Sequence, residues 1–491
     1  MVSPHSTNDT YSLVHSELIY STLTRLDKDG GTAPGLAEHW DVTPDGLAYT
    51  FHLNAKATWH DGKPVSAEDV AFALTSLSDP RTKSIYASRF NNVKGVKAYR
   101  DGSAPTVEGF QAVDPRTFRI LLDAPVAPML GQLGVQAPII PKHILGAAKP
   151  EELEKHPFWA NPTVGSGPLK FVRYQTDQFM ELDRHEQHHL GAVTFPKMIL
   201  RIGSQDVLQA QIQKGEVDLA AIPTDEADRL KSVQTVTVFQ YPTTVAQSLY
   251  VNLEKPYLQD LRIRQALSYA IDRAKIADTV QGDPTLANFG PVNGPAWAIS
   301  PNLMKYPFDQ EKARQLLNDA GWDSSRKVVY RYPTGNKARE RMAPLIQDAY
   351  KAVGIDLDLR LSDFATMQND AKDGQFDLLS LGNQNGYDPD SLANQYTSAS
   401  IPPGGVNFGR YKNERVDEIF KTAAATLDQG KRATLYHEFQ DIVTRELPRI
   451  WILVDPEVMA INKRIGGIVP SSAWGLLRSV YWNVHQWNVT D

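Results

Sequence analysis

Twice in this chain a helical stretch runs into a glycine and straight on into an apolar run. Gln209–Lys214 meets Gly215 and continues as Glu216-Val217-Asp218-Leu219-Ala220-Ala221-Ile222. Met367–Asp373 meets Gly374 and continues as Gln375-Phe376-Asp377-Leu378-Leu379. Glycine ends a helix because it adopts the left-handed conformation at no steric cost, and the apolar run behind it reads as a short buried strand. Each segment is the second half of a strand–helix–strand unit. Two of them, about 160 residues apart, predict an α/β protein with two lobes. Between them, Leu261–Asp272 and Gln310–Ala320 have the spacing of amphipathic helices, the second stopped by Gly321. No low-complexity linker separates the lobes, so the chain is expected to cross between them on strands.

The first half is richer in turns. Tyr49–Leu53 alternates as a strand does, and Phe110, Val113, Phe118, Ile120 and Leu122 mark a second strand pair around a proline turn. Ser66, with Asp69 three residues on, is spaced as a capping box for a helix carrying Val70, Leu74 and Leu77.

At 491 residues the chain has length for about three domains. It carries 51 Lys plus Arg against 57 Asp plus Glu, a net charge of −6, with no basic block. Nucleic acid, which needs clustered cations, is excluded. No window reaches the ~18–20 apolar residues of a membrane span. With no cysteine at all, disulfide scaffolds, thiolate metal sites and cysteine nucleophiles drop out together. The first residues, MVSPHSTNDT, carry no basic-then-apolar leader.

Enzyme signatures fail in turn. There is no phosphate-binding glycine loop, and Gly165-Ser166-Gly167 lacks the spacing of a nucleophile elbow, so no catalytic residue is assigned. His185-Glu186-Gln187-His188-His189 fits H-E-x-x-H, which would put a zinc hydrolase on His185 and His189 if the segment were helical. It follows the strand-like Phe179, Glu181 and Asp183 and lacks helical apolar spacing, so it reads as a polar surface loop with no metal. After the second glycine-started strand comes Leu381-Gly382-Asn383-Gln384-Asn385-Gly386-Tyr387-Asp388-Pro389-Asp390. Such a loop lies at the carboxyl end of a strand, where open α/β sheets bind ligands, and its amides suit binding rather than proton transfer. Trp297, Tyr332 and Trp474 sit in turn-like contexts and are the type of aromatic that lines a cleft.

Three stretches carry a resemblance: Pro34–Trp40, Asp45–Leu53 and Ala57–Val70. It continues through Gly165–Phe171, Gly215–Asp218, Asp260–Arg273 and Lys312–Trp322. In these blocks, taken in order, the chain resembles the large extracytoplasmic solute-binding proteins of family 5, which feed peptide, opine and nickel ABC importers. The resemblance implies a two-lobe periplasmic-binding-protein-like fold of the cluster C type with an inserted α+β domain. It places one lobe at 1–31, 166–243 and 461–491, the insertion at 32–165 and the other lobe at 244–460. It also implies a monomeric, non-enzymatic receptor without cofactor, exported to the periplasm or cell exterior, that closes on a small solute and hands it to membrane permease subunits. Pro4–Asp9 resembles the segment after the family's first strand.

The loop departs from the family at one point. Peptide-binding relatives carry an aspartate that pairs with the peptide ammonium three residues before the Asp-Pro; here that position is Asn385. A neutral amide cannot replace that charge-assisted bond in a desolvated cleft. The expected solute is therefore sugar-like, a sugar conjugate or an opine, with a di- or oligopeptide as the alternative. Its expected contacts are Asn383, Asn385, Gly386, Tyr387 and Asp388, with Arg331 and Tyr332 beside them for an anionic group and Trp297 and Trp474 for stacking.

Overall fold

The computed structural model describes residues 3–6, 10–135, 137–384, 386–471 and 479–490, with backbone alone for Thr10, Tyr11, Gln205, Asn383 and Gln384. The chain divides into two compact units: Met1–Phe239 with Ala424–Leu427 and Val458–Asp491, and Gln240–Ala423 with Asp428–Glu457. Both main boundaries fall inside long strands, Val236–Val251 and Arg449–Asn462, so the chain passes from unit to unit on strands, as the missing linker implied.

In the first unit an antiparallel sheet runs in the order Ala37–Val42, Ala48–Leu53, Thr117–Leu121, Phe110–Asp114. The helix Ala67–Ser78 starts on the expected capping box: Asp69 Oδ2 accepts from the Ser66 amide at 2.9 Å, and Ser66 Oγ accepts from the Asp69 amide at 3.4 Å. That satisfies two of the amides a helix start leaves open. Its Val70, Leu74 and Leu77 are buried in one core with Phe51, Phe118 and Ile120. A three-stranded antiparallel sheet, Leu169–Gln175, Phe179–Arg184 and Lys197–Arg201, follows.

The first glycine unit differs from its reading. The helix is Gln205–Gln213, and Gly215 is left-handed at φ +73°. The strand behind it is only Leu219–Ala221, half-buried, and pairs antiparallel with Met459–Ile461. Its neighbour is the returning C-terminal strand, so no parallel unit forms there.

The second unit holds the expected parallel arrangement. Helix Phe364–Lys372 ends at Gly374 (φ +69°) and leads into strand Leu378–Gln384. That strand lies parallel to Lys327–Pro333, which lies parallel to Asp356–Ser362, and antiparallel to Val245–Val251. Helix Leu261–Tyr269 is shorter than expected: Asp272 caps a second helix, Arg273–Gln281, through Oδ1 accepting from the Lys275 amide at 3.1 Å. Leu249, Val251, Tyr330, Ile346, Leu378 and Ile450 anchor its core.

Candidate functional site

The strand Leu378–Gln384 carries the chain to the loop expected to meet the solute. Asn385 and Trp474 lie outside the described residues, and Asn383 is described by its backbone, paired opposite Ala246. Gly386 has φ +38°, a conformation side chains rarely adopt, and Tyr387 is half-buried. Asp388 is engaged within the protein. It caps the turn Pro389–Leu392 by accepting from the Asp390 amide at 2.9 Å. Both its oxygens also accept from Arg432, at 2.9 Å from Nη1 and 2.6 Å from Nη2. Arg432 is buried, donates to the Tyr436 hydroxyl at 3.1 Å, and sits over the rings of Trp297 and Tyr436. Burial alone would lower the Arg432 pKa, but the bonds to Asp388 more than reverse this and leave it raised. Asp390, beside them, is pushed up to about 6 by burial and by the charge of Asp388.

Trp297 therefore belongs to this cluster, in a short turn Ala296–Ala298 against Tyr436. Arg331 is also engaged: Nη1 pairs with Asp370 at 2.6 Å and Nε donates to the Gln375 carbonyl. Tyr332 lies within the strand rather than in a turn and stacks on Tyr330. Two expected charged contacts, Asp388 and Arg331, are thus neutralised by internal partners.

Another constellation, unnoticed in the sequence, lies on the neighbouring strands. Gln247 stands opposite Gly382 in the antiparallel ladder. Its Oε1 accepts from Arg339 Nε at 2.9 Å, so its Nε2 is left to donate to Asp455 Oδ2, at 2.5 Å. Gln281 Nε2 donates to the other Asp455 oxygen at 3.1 Å. Burial raises the Asp455 pKa, against the opposing hydrogen bonds of Gln247 and Gln281 and the charge of Arg339. Burial likewise lowers that of Arg339, partly offset by Asp455. Among the described residues no cation lies within 4.0 Å of the Asp455 carboxylate. A cavity of about 220 Å3 in the same unit is lined by Tyr241, Asp283, Asn288, Asn293 and Val454 among others, and not by the members of this network. Tyr241 donates to Glu457 at 2.9 Å, and among the described residues the buried Asn293 Nδ2 has no partner. The signal was present in the sequence: Asp455-Pro456-Glu457 interrupts an otherwise apolar run from Ile450 to Ile461.

The histidine motif is a turn, not a helix, and His185 and His188 are buried rather than on the surface. Its Glu186 points to Arg184, at 2.6 Å. Among the described residues no group of three or more His, Asp or Glu is placed to hold a metal. The rings pack instead. His60 meets His185 at 4.8 Å between centroids, and His188 meets His189 at 4.5 Å. His60 Nε2 donates to the Gly167 carbonyl at 3.1 Å and Nδ1 accepts from the Gly165 amide at 3.1 Å, which fixes a neutral tautomer. Burial, chiefly, pushes His60 down to about 3, His188 to about 2 and His189 to about 4.

Residues 31–402 match the family model for bacterial extracellular solute-binding proteins, family 5. A putative ABC transporter peptide-binding protein of Brucella ovis is 28% identical over 440 residues, 87% of this chain and 80% of the relative. Heme-binding protein A of Haemophilus influenzae is 28% identical over 481 residues, 93% and 85% of the two chains. The crystal structure of the ABC transporter substrate-binding protein CtaP of Listeria monocytogenes superposes with a TM-score of 0.88 at 27% identity, covering 100% of this chain and 96% of that one. The two-lobe periplasmic-binding-protein fold is thereby shown, and the chain belongs to family 5 of the bacterial extracellular solute-binding proteins.

Proposed function

We propose that this protein is the extracytoplasmic receptor of an ABC importer and that it binds a peptide or peptide-like solute without altering it. The observation that carries the reading is the Asp455–Gln247–Arg339 array: a carboxylate and a guanidinium bridged by an amide, which suits a solute bearing both charges and amides. The peptide name of the Brucella relative supports the same class. The sugar or opine reading loses ground, because its expected anion contact, Arg331, is held by Asp370 and the Brucella relative is named for peptides.

The layout with residues 32–165 as an inserted domain, the hinge closure that the family resemblance implies, delivery to permease subunits and the monomeric state are parts of this proposal. Among the described residues no helix is long and apolar enough to cross a membrane, which fits a receptor working beside a membrane-embedded permease. Calorimetry with di- to tetrapeptides against sugars, opines and heme tests the solute class. Micromolar or tighter binding confined to peptides is expected; binding confined to another class would overturn it. A smaller radius of gyration with bound peptide is the expected sign of closure, and an unchanged radius at saturation would refute it.

A further inference from the structure

The Gly165-Ser166-Gly167 segment, which lacks the spacing of a nucleophile elbow, is gripped tightly within the first unit. The Gly167 amide donates to the Ile19 carbonyl at 2.8 Å. The Ser166 hydroxyl accepts from the Ser21 amide at 3.1 Å, and the Ser166 carbonyl accepts from the Ser21 hydroxyl at 2.9 Å. A side chain at 165 or 167 would run into the Ile19 backbone, so both positions need glycine. Two imidazoles complete the grip. The Gly167 carbonyl accepts from His60 Nε2 at 3.1 Å and from His185 Nδ1 at 3.0 Å. The Gly165 amide donates to His60 Nδ1 at 3.1 Å, and the Gly165 carbonyl accepts from the His60 amide at 2.8 Å. His60 lies in the turn Trp59–Gly62, beyond strand Ala48–Leu53 of the four-stranded sheet. The glycine segment leads into Leu169–Gln175 of the three-stranded sheet. The histidines therefore clasp a seam between the two sheets.

This bonding pattern is complete only while His60 is neutral. Its two ring nitrogens are both used, one as donor and one as acceptor. A second proton would sit on Nδ1 and face the Gly165 N–H, donor against donor. The surrounding charges offer little compensation. Lys170 Nζ donates to the His60 carbonyl at 3.4 Å, and its charge opposes a proton on either His60 or His185. Asp61 favours a proton on His60 but is shared with His143 at 2.8 Å and Lys63 at 3.6 Å. Beyond His185 stand His188, His189 and His485, with Arg25 beside the last two and Glu186 paired to Arg184.

We propose that the His60–His185 clasp is an acid-sensitive latch: a proton on His60 releases the Gly165–Gly167 segment and opens the seam between the two sheets while the rest of the first unit stays folded. The inference does not depend on the receptor reading. In the opened chain His60 is an ordinary imidazole and takes up a proton below about pH 6.5. In the closed form burial holds it down to about 3. Falling pH therefore favours opening, by about 25-fold between pH 7 and 5 for each imidazole released.

The test is hydrogen exchange of the full protein at pH 7, 6 and 5, followed by mass spectrometry and expressed as protection factors, which removes the intrinsic pH dependence of exchange. Peptides covering 163–170 and 183–191 are expected to lose about 25-fold or more in protection from pH 7 to 5, and to stay less protected than helix Ala67–Ser78 at each pH. Constant protection of 163–170 across this range would overturn the inference. So would equal protection of 163–170 and the helix at every pH, because the response would then be global unfolding. These comparisons need no variant. His60→Gln keeps a donor for the Gly167 carbonyl and takes up no proton, so it should shrink the pH-dependent loss at 163–170 by about 25-fold. An undiminished loss in that variant would show that His60 is not the latch.

Discussion

Asp388 and Arg432 form a two-pronged ion pair, with both carboxylate oxygens accepting from the guanidinium at 2.9 and 2.6 Å and both side chains largely enclosed. The pair ties the turn after strand Leu378–Gln384 to helix Gln429–Glu446. Asp388 therefore braces the loop. Replacing Asp388 by Asn leaves the Arg432 charge enclosed and uncompensated, which costs about 3 kcal/mol. Chemical unfolding is expected to show that loss; unchanged stability would remove the bracing role.

Arg331 is expected to be silent in binding. Asp370 and the Gln375 carbonyl already hold it. Arg331→Gln should leave peptide affinity within threefold and cost about 1 kcal/mol of stability. A tenfold loss of affinity in calorimetry would return Arg331 to the solute.

Gly382 gives a sterically specific test of the Gln247 bridge. A Cβ there would lie 2.6 Å from Arg339 Nη2 and 2.7 Å from Gln247 Nε2, so Gly382→Ala must push the amide off Asp455. Both atoms are the far ends of flexible side chains, so the shift should cost little stability while affinity for free peptides falls. Wild-type affinity in Gly382→Ala would show that the bridge does not matter to the solute.

Stability should fall as the solution is acidified from pH 7 to 5. The folded-state pKa values of His60, His188 and His189 lie at about 3, 2 and 4, below the ordinary 6.5. The unfolded chain therefore takes up protons first, and each of the three loses about 2 kcal/mol of stability by pH 5. Lys170 and Arg25 add to the penalty of charging the cluster, while Asp61 only weakly opposes it. Asp390 acts in the opposite sense: its carboxyl, raised to about 6, is protonated on folding across this window and contributes about 1 kcal/mol of stabilisation at the lower pH. The histidines outweigh it. Melting followed by calorimetry at pH 7, 6 and 5 should show a steadily falling Tm; a flat profile would mean that these imidazoles are not held neutral.

Much of the fold was legible because it is local. Ser66 and Asp69 announce their capping box by spacing alone, and Gly374 stops its helix where the sequence says. Gly215 was equally legible, but the pairing of Leu219–Ala221 was not, since its partner is supplied by Met459–Ile461 from the far end of the chain. The site divides in the same way. The loop's turn character was legible in its glycine and proline. The ion pairs of Asp388 and Arg331 were not, because their partners, Arg432 and Asp370, come from other elements. The histidine turn read as surface because it is polar, yet the Gly165 amide and the Gly167 carbonyl pair with His60, and Gly167 with His185, and so enclose it. Asp455 was visible as a break in an apolar strand, but only the register opposite Gly382 shows which amides converge on it.

The central claim is that the protein retains a peptide solute and returns it unchanged. Its most direct test is to incubate the purified protein with a defined mixture of di- to tetrapeptides, wash it, and weigh the bound species by native mass spectrometry before and after release. Stoichiometric retention of one or a few peptides, each recovered at its input mass, is expected. Retention of no peptide, or recovery of cleaved or modified products, would contradict it.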